Sequence, residues 1–520
     1  MRILRLGIIV VLLLIFTSCT NSTEDKIYDE IRERVSNPIE NDNKNEIDAE
    51  DETDILDEDF AFDAESEQSS PYEEENLAAE SILEGTLTIL VGQWDVHLPR
   101  FAELFMTAHP DVTVVIERLE FEPALMDISQ QVALTTRLLA NPPDILDTAN
   151  LLFEKFSFEE VFVDLNPFID GTNGVSRDNL FDNILRGAEV GNQLFSVPIM
   201  VNTDTLLLNI QYFADIGVDV SEMRALAFPQ LIEYHQKASA LHPEKEMRVY
   251  SIFSIMDVFR YMRTYDLGTR EVMVDTPQMR VLLELVRDIP YGTPRTPIEF
   301  TPERIHRIIM MSGSGGQAIT TCFFNPPTSV LCLWEFDLHV PFIFMLALAE
   351  HPELRYSHPI HITSDVGEIT FRSGISPAIL QGSQNQELAW EFVRFAMEST
   401  DIPSSGLMNY TRYLSEYFPV NRAMFYNRVR HLLERQYDVL VQFRTLEDAL
   451  DGGVRKEEMV SYSLHRFAEL LEMLDTERRY CSAVMNSLIY PDIYLFMTGQ
   501  QDVGQTVENI QNRLELYVHE

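Results

Sequence analysis

Three short stretches carry side chains whose types and spacing suggest chemistry. Gln93-Trp94-Asp95 sets an indole between an amide and a carboxylate. Such a trio can stack against an apolar face while its edges make hydrogen bonds. The same tryptophan would equally serve to cover a helix end. Asp147 follows Ile145-Leu146, where its carboxylate either accepts hydrogen bonds from hydroxyl groups or caps the next helix. His358 and His361 form the closest histidine pair, and Pro359 between them disfavours a shared helical face for two metal-ligating imidazoles. Patterns for bond-making chemistry are missing: GxxxxGK[ST], HExxH, CxxC and GxSxG do not occur. Gly313-Ser314-Gly315-Gly316 has the wrong spacing for a nucleophile elbow and reads as a flexible loop. These patterns give no expectation of a catalytic residue, a metal or a cofactor.

The elements that must position these groups begin at Gly85. Gly85-Thr86-Leu87-Thr88-Ile89-Leu90-Val91 is an apolar, β-branched run expected as a buried strand. Leu98, Phe101, Leu104, Phe105 and Ala108 repeat at helical spacing, and His109-Pro110-Asp111 stops that helix. A second strand is expected at Val112–Ile116, a helix from about Pro123 to Leu139, and a short third strand at Ile145-Leu146-Asp147. Strands alternating with helices predict an α/β fold with a mainly parallel sheet. Ligands of such sheets sit beyond the carboxyl ends of the strands, which places Trp94, Asp95 and Asp147 on the candidate rim. Trp390, with Phe392 and Phe395 on one predicted helix, is expected in the core.

Composition bounds the rest. The chain has 520 residues, 83 Asp+Glu against 39 Lys+Arg, and a formal net charge of −44. Such a balance argues against nucleic-acid binding, which takes clustered cations to neutralise phosphates. Residues 1–19 carry Arg2 and Arg5, then an uncharged run from Leu6 to Phe16, then Thr17-Ser18-Cys19. That run is too short to span a bilayer and has the length of a signal-peptide core. A small residue before the cysteine resembles the bacterial lipobox, which implies a lipid on Cys19. From Asn21 to Glu84 there are 24 acidic residues against four basic ones, so residues 20–84 are expected as a disordered acidic linker. Cys322 and Cys332, ten positions apart around Pro326-Pro327, would be free to form a disulfide outside the cell, leaving Cys481 over.

Several segments then resemble one family in a shared order. They are His109-Pro110-Asp111, Asn141-Pro142-Pro143-Asp144-Ile145, Phe162-Val163-Asp164-Leu165-Asn166-Pro167 and Gly191–Pro198, followed by Leu206–Asn209 with Ile216-Gly217-Val218. Gly374-Ile375-Ser376 running on to Ala389–Phe395, then Phe418-Pro419-Val420-Asn421-Arg422 and the closing Thr498–Glu520 continue the series. Together they resemble the extracellular solute-binding proteins of ABC importers, in the sugar-binding, maltodextrin-like branch. Residues 247–327 match poorly. The resemblance implies a two-lobe periplasmic-binding-protein-like fold with a hinge and an interlobe cleft. It puts lobe one at 85–202 and 360–400, lobe two at 203–359 and 401–520, and the crossings near Val201–Thr203, Tyr356–Ile362 and Thr400–Ser405. With the rim residues Trp94, Asp95 and Asp147, the expected ligand contacts are Asn202 near the first crossing, Arg372 just before Gly374, and, where the resemblance implies a second-lobe tryptophan and a late aromatic, Trp334 with Glu335 and Tyr494, with Asp204 and Tyr490 as neighbours.

A receptor of that kind would take a carbohydrate, with oligosaccharides favoured, and deliver it to ABC permease subunits. It would be a monomer held by Cys19 on the extracellular face of a bacterial cell membrane. Two other readings stay open: a surface glycoside-active enzyme using paired carboxylates, and a receptor-fold sensor or adhesin with no role in transport.

Overall fold

The computed structural model describes residues 83–93, 95, 97–120, 128–149, 158–208, 210–220, 222–241, 248–250, 258–259, 261–266, 268–287, 329–335, 360–399, 417–442, 456–477 and 482–519. The expectations for Cys19, the acidic linker, Trp94, Cys322 and Cys481 lie outside the described residues. So do the side chains of Cys332, Trp334 and Glu335. In chain order the strands are β1 (Gly85–Val91), β2 (Val112–Arg118), β3 (Ile145–Asp147), β4 (Met200–Leu208), β5 (Ala225–Ala227), β6 (Arg248–Tyr250) and β7 (Tyr265–Asp266). They continue with β8 (Glu271–Val272), β9 (Ser329–Glu335), β10 (Ile360–Thr363), β11 (Thr370–Ile375), β12 (Pro377–Ile379), β13 (Phe418–Pro419) and β14 (Thr476–Glu477).

The expected opening forms as a four-stranded sheet in the order β12-β3-β1-β2. β1 runs parallel to both β2 and β3, with Ile89 opposite Ile116 on one side and Ile145 on the other. Leu87, Ile89 and Val91 join one core, while Leu90 joins a smaller one with Leu134, Leu138 and Leu146. Burial on both faces explains why β1 reads as a continuous apolar run rather than an alternating one. The helix His97–Ala108 covers one face with Leu98, Phe101 and Phe105. The helix Gln386–Glu398 lays Ala389, Trp390, Phe392, Val393 and Ala396 into the same core. Trp390 is packed there against Phe168, its indole N–H donating to the Asn173 carbonyl at 3.3 Å.

A second sheet, built on β4, links two cores. The amino half of β4 pairs antiparallel with β11 and β13; its carboxyl half pairs with β10 and β9. Val201 lies in the first core and Leu206 in the second. The chain returns between Ile362 of the second core and Ile369 of the first. The second core draws on described residues between Leu206 and Val286, on Ile360 and Ile362, and on the two closing helices, Ser482–Met497 and Val503–His519.

Two boundaries taken from the resemblance need correction. β10 belongs with the second core, so the first lobe resumes near Ile369 rather than at 360. Residues 418–433 and 460–474 pack into the first core through Phe418, Phe425, Val429, Leu464, Phe467 and Leu471. They were expected in lobe two. β13 explains the difference: it adds to the first-core half of β4 and brings the helix Arg422–Gln442 with it. The helix Lys456–Glu472 then packs on Arg422–Gln442. The last passage between the cores therefore falls after Leu474, not near Thr400.

Close packing pins that passage. A β-carbon on Gly187 would stand 2.7 Å from the Asp475 carbonyl oxygen and 2.8 Å from its carbon. Backbone yields less easily than a flexible side chain, so Gly187→Ala is expected to destabilise the protein by about 1–3 kcal/mol. Urea denaturation followed by circular dichroism checks this, and an unchanged midpoint would show that residues 470–477 can shift aside.

Candidate functional site

The strand that joins the cores also gathers polar side chains. Asn202, Thr203, Asp204 and Thr205 are all buried within it. Polar groups at such depth require partners. Asn202 Oδ1 accepts the Thr203 N–H at 2.7 Å, and Thr203 donates its hydroxyl to the Thr370 carbonyl at 2.8 Å. Arg372 stands opposite Asn202 in the β4–β11 register, and its Nη2 is 3.9 Å from Asp204 Oδ1. The Tyr261 hydroxyl donates to Asp204 Oδ2 at 3.1 Å. Asp204 thus touches a residue of the second core, Tyr261, and a residue of the first-core half of the sheet, Arg372. In β9 the backbone of Glu335 lies opposite Asp204, and that of Trp334 opposite Thr205.

The other expected residues lie on two other elements. Asp95 follows β1 and Asp147 ends β3, so both occupy the carboxyl rim of the four-stranded sheet. Asp95 Oδ1 accepts the His97 N–H at 2.7 Å and thereby starts the helix. Burial raises the Asp95 carboxyl above its ordinary value, against the opposing pull of the His97 N–H and the Arg118 guanidinium. Its Oδ2 is buried and has no hydrogen-bond partner among the described residues. Asp147 Oδ1 accepts two backbone N–H groups, Ala149 at 3.1 Å and Ser376 at 3.0 Å. That oxygen ties β3 to the β11–β12 corner, a role not anticipated from the sequence. Tyr494 is half-buried against the second core, its ring 6.4 Å from Tyr490.

The structure therefore brings together Asn202, Asp204 and Arg372, with Trp334 and Glu335 adjacent by strand register. Asp95 and Asp147 form a second group and Tyr494 stands on a third element. Sequence reading missed Tyr261 and Glu477; the latter takes the Ser373 hydroxyl beside Arg372. Tyr261 falls within the segment whose resemblance is poor, and Glu477 is 104 residues from its partner. No local pattern announces either one.

His361, weighed above as half of a metal pair, is fully buried in β10. Its Nε2–H donates to the Leu470 carbonyl at 2.9 Å. Burial lowers its pKa to about 4, outweighing the favourable contacts of Leu470 and Asp204. It is a neutral structural group. A pocket of about 430 Å³ lies elsewhere, between Val175, Asp178, Glu398 and Arg422. It includes none of the expected residues, and its arginine is engaged by the Leu180 carbonyl, Glu472 and the Phe181 ring.

No family model matches the sequence, and no curated protein matches it. Solved structures do. The sugar-binding protein MalE from the phytopathogen Xanthomonas citri is 12% identical, aligned over 84% of this chain and 98% of its own, with a TM-score of 0.50. The fold is that of a periplasmic binding protein. Two further likenesses to this periplasmic-binding-protein fold are an ABC substrate-binding protein from Listeria monocytogenes in complex with cycloalternan and a cyclic alpha-maltosyl-1,6-maltose binding protein from Arthrobacter globiformis. The first is 10% identical over 84% of this chain and 99% of that one (TM-score 0.47); the second is 12% identical over 84% and 99% (TM-score 0.46). Here β4 and the β10–β11 return are the segments that join the two cores.

Proposed function

We propose that this chain is a lipid-anchored extracellular receptor. It captures a carbohydrate, an oligosaccharide by preference, between its two lobes and delivers it to the permease of an ABC transporter. The observation that carries the reading is the joining strand β4. It runs through both cores and holds buried Asn202 and Asp204 beside Arg372 where the lobes meet. Planar polar side chains of this kind suit a guest rich in hydroxyl groups. The likeness to the sugar-binding protein MalE from Xanthomonas citri supports the choice of guest. Asp95, Asp147, Trp94, Trp334, Glu335 and Tyr494 are proposed to complete the contacts. The binding is non-catalytic in this reading, and the ligand favours lobe closure only by its differential affinity for the closed state.

Residues 85–520 should melt at a higher temperature in the presence of the right carbohydrate, the gain following RT ln(1 + [L]/Kd). At a hundredfold excess over Kd that is about 2.7 kcal/mol. A panel of linear and cyclic oligosaccharides, read by thermal shift and by chromatography of the recovered sugar, tests this. No shift across the panel would remove the carbohydrate. A chemically altered sugar would remove the receptor.

A further inference from the structure

The segment that leads from the first core to its last passage crosses the hinge sheet. Along the path β14-β11-β4-β10-β5, β14 and β5 are the two ends. Residues 469–477 touch both. Glu469 pairs with Arg224, just before β5, at 2.5 Å. Leu470 accepts the His361 N–H from β10. Asp475 exchanges hydrogen bonds with Ile369, its N–H donating to the carbonyl at 3.1 Å and its Oδ1 accepting the N–H at 2.8 Å. Thr476 and Glu477 then pair in parallel with Thr370 and Phe371 of β11. The strap is fixed to the first lobe from beneath: Asn183 Nδ2 donates to the carbonyls of Leu471 and Leu474, both at 2.8 Å, and Gly187 makes the close approach to Asp475.

Among the described residues, its contacts with the second lobe through Glu469 and Leu470 converge on one place. The His361 backbone N–H donates to the Arg224 carbonyl at 3.0 Å, so the β10–β5 edge is held at Arg224 by its side chain and at His361 by its ring. Ala225 is packed against the first core although it stands in the second lobe's sheet edge. Glu469 is itself steadied by Arg466 at 2.7 Å and His465 at 3.4 Å, and Tyr462 lies near enough for the Glu469 and Arg224 charges to act on its hydroxyl.

We infer that residues 469–477 form a strap that ties the hinge edge of the second lobe to the first, with the Arg224–Glu469 ion pair as its releasable fastening. This deepens the receptor reading by giving its hinge a regulator, and it rests on that reading for its purpose alone. Asn183, Gly187 and the β11 pairing keep the strap on the first lobe, so it moves with that lobe. The Arg224–Glu469 pair is half-exposed to water and is the contact most easily exchanged for solvent. Loss of the pair therefore loosens the β10–β5 edge while leaving both cores intact.

The test is hydrogen–deuterium exchange on the ligand-free protein, with Arg224→Glu, Glu469→Arg and the double exchange of the two. Each single variant should speed exchange at the His361, Ile362 and Thr363 amides by roughly two- to fivefold, the size of an exposed ion pair. Exchange in β1 and β2 should not change. The double variant should restore part of the slow exchange, because Arg466 still repels an arginine at position 469. Unaltered rates at β10, equal acceleration in β1, or no rescue by the double variant would each overturn the strap. Because no ligand is present, a protein that binds no carbohydrate still gives a clear result. Adding maltotriose as a probe afterwards addresses the receptor reading separately.

Discussion

Asp144→Ala is expected to lower stability by about 3 kcal/mol, read as a shift of the urea midpoint at neutral pH. Asp144 is buried just before β3. Its Oδ2 accepts the Thr88 N–H at 2.8 Å; its Oδ1 accepts the Ser383 hydroxyl at 2.5 Å and the Asn385 amide at 3.3 Å. Alanine strands these donors, and each buried orphan costs about 1–3 kcal/mol. Asp144→Asn keeps one acceptor oxygen and should recover part of the loss. The backbone bonds of residue 144 to Thr88 and Leu380 survive either change, so the sheet order should persist and the penalty belongs to the side chain. The two cores are separate, so the midpoint should be followed by probes in each. A loss confined to the second core would contradict the assignment, because every partner named here belongs to the four-stranded sheet or its flanking corner.

Asp144 also marks how far sequence alone can reach. The Pro143-Asp144-Ile145 stretch announced a strand entry, and the strand is there, because apolar runs buried on both faces are visible without any partner. The position of Trp390 was equally legible, since a helical stripe of Ala389, Trp390, Phe392, Val393 and Ala396 has only one way to face inward. The lobe to which residues 418–433 and 460–474 belong was not legible. A stripe on a helix says that it packs, not against which core, and the choice was made by β13 pairing with Val201 and Met200 more than 200 positions earlier.

The site divides along the same line. Asn202 and Asp204 could be named because they flank a chain crossing and Arg372 because it stands just before Gly374, and the structure sets the three side by side. Asp147 could be named for its place at a strand end, yet one of its oxygens serves the backbone of Ser376, 229 residues away. Spacing along the chain encodes which rim a residue occupies. It does not encode which long-range donor reaches the carboxylate first.

Stability should fall as the pH drops from about 6.5 towards 4, and His361 should account for a large share. The folded pKa of His361, about 4, lies below the ordinary 6.5 because burial disfavours the imidazolium. His97 is lowered to about 4 as well, by burial and then by the Arg428 charge. Between these values the unfolded chain binds more protons than the folded one. The contribution of each histidine is therefore fully present above pH 6.5 and is lost as pH falls through the window. At pH 4.5 the linkage relation gives a loss of about 2–3 kcal/mol per histidine. Glu368 and Asp475 act in the opposite sense, since burial raises both carboxyls and the fold accepts their protons readily. His361→Gln isolates the first effect, because a glutamine amide can still donate to the Leu470 carbonyl but takes up no proton. Its stability should decline less than that of the wild type between pH 7 and 4.5, by about 2–3 kcal/mol. Parallel curves would mean that His361 does not resist protonation in the fold. In that case the ring would have to be reached by water, and the bond it makes across the hinge to Leu470 would be no more than a surface contact.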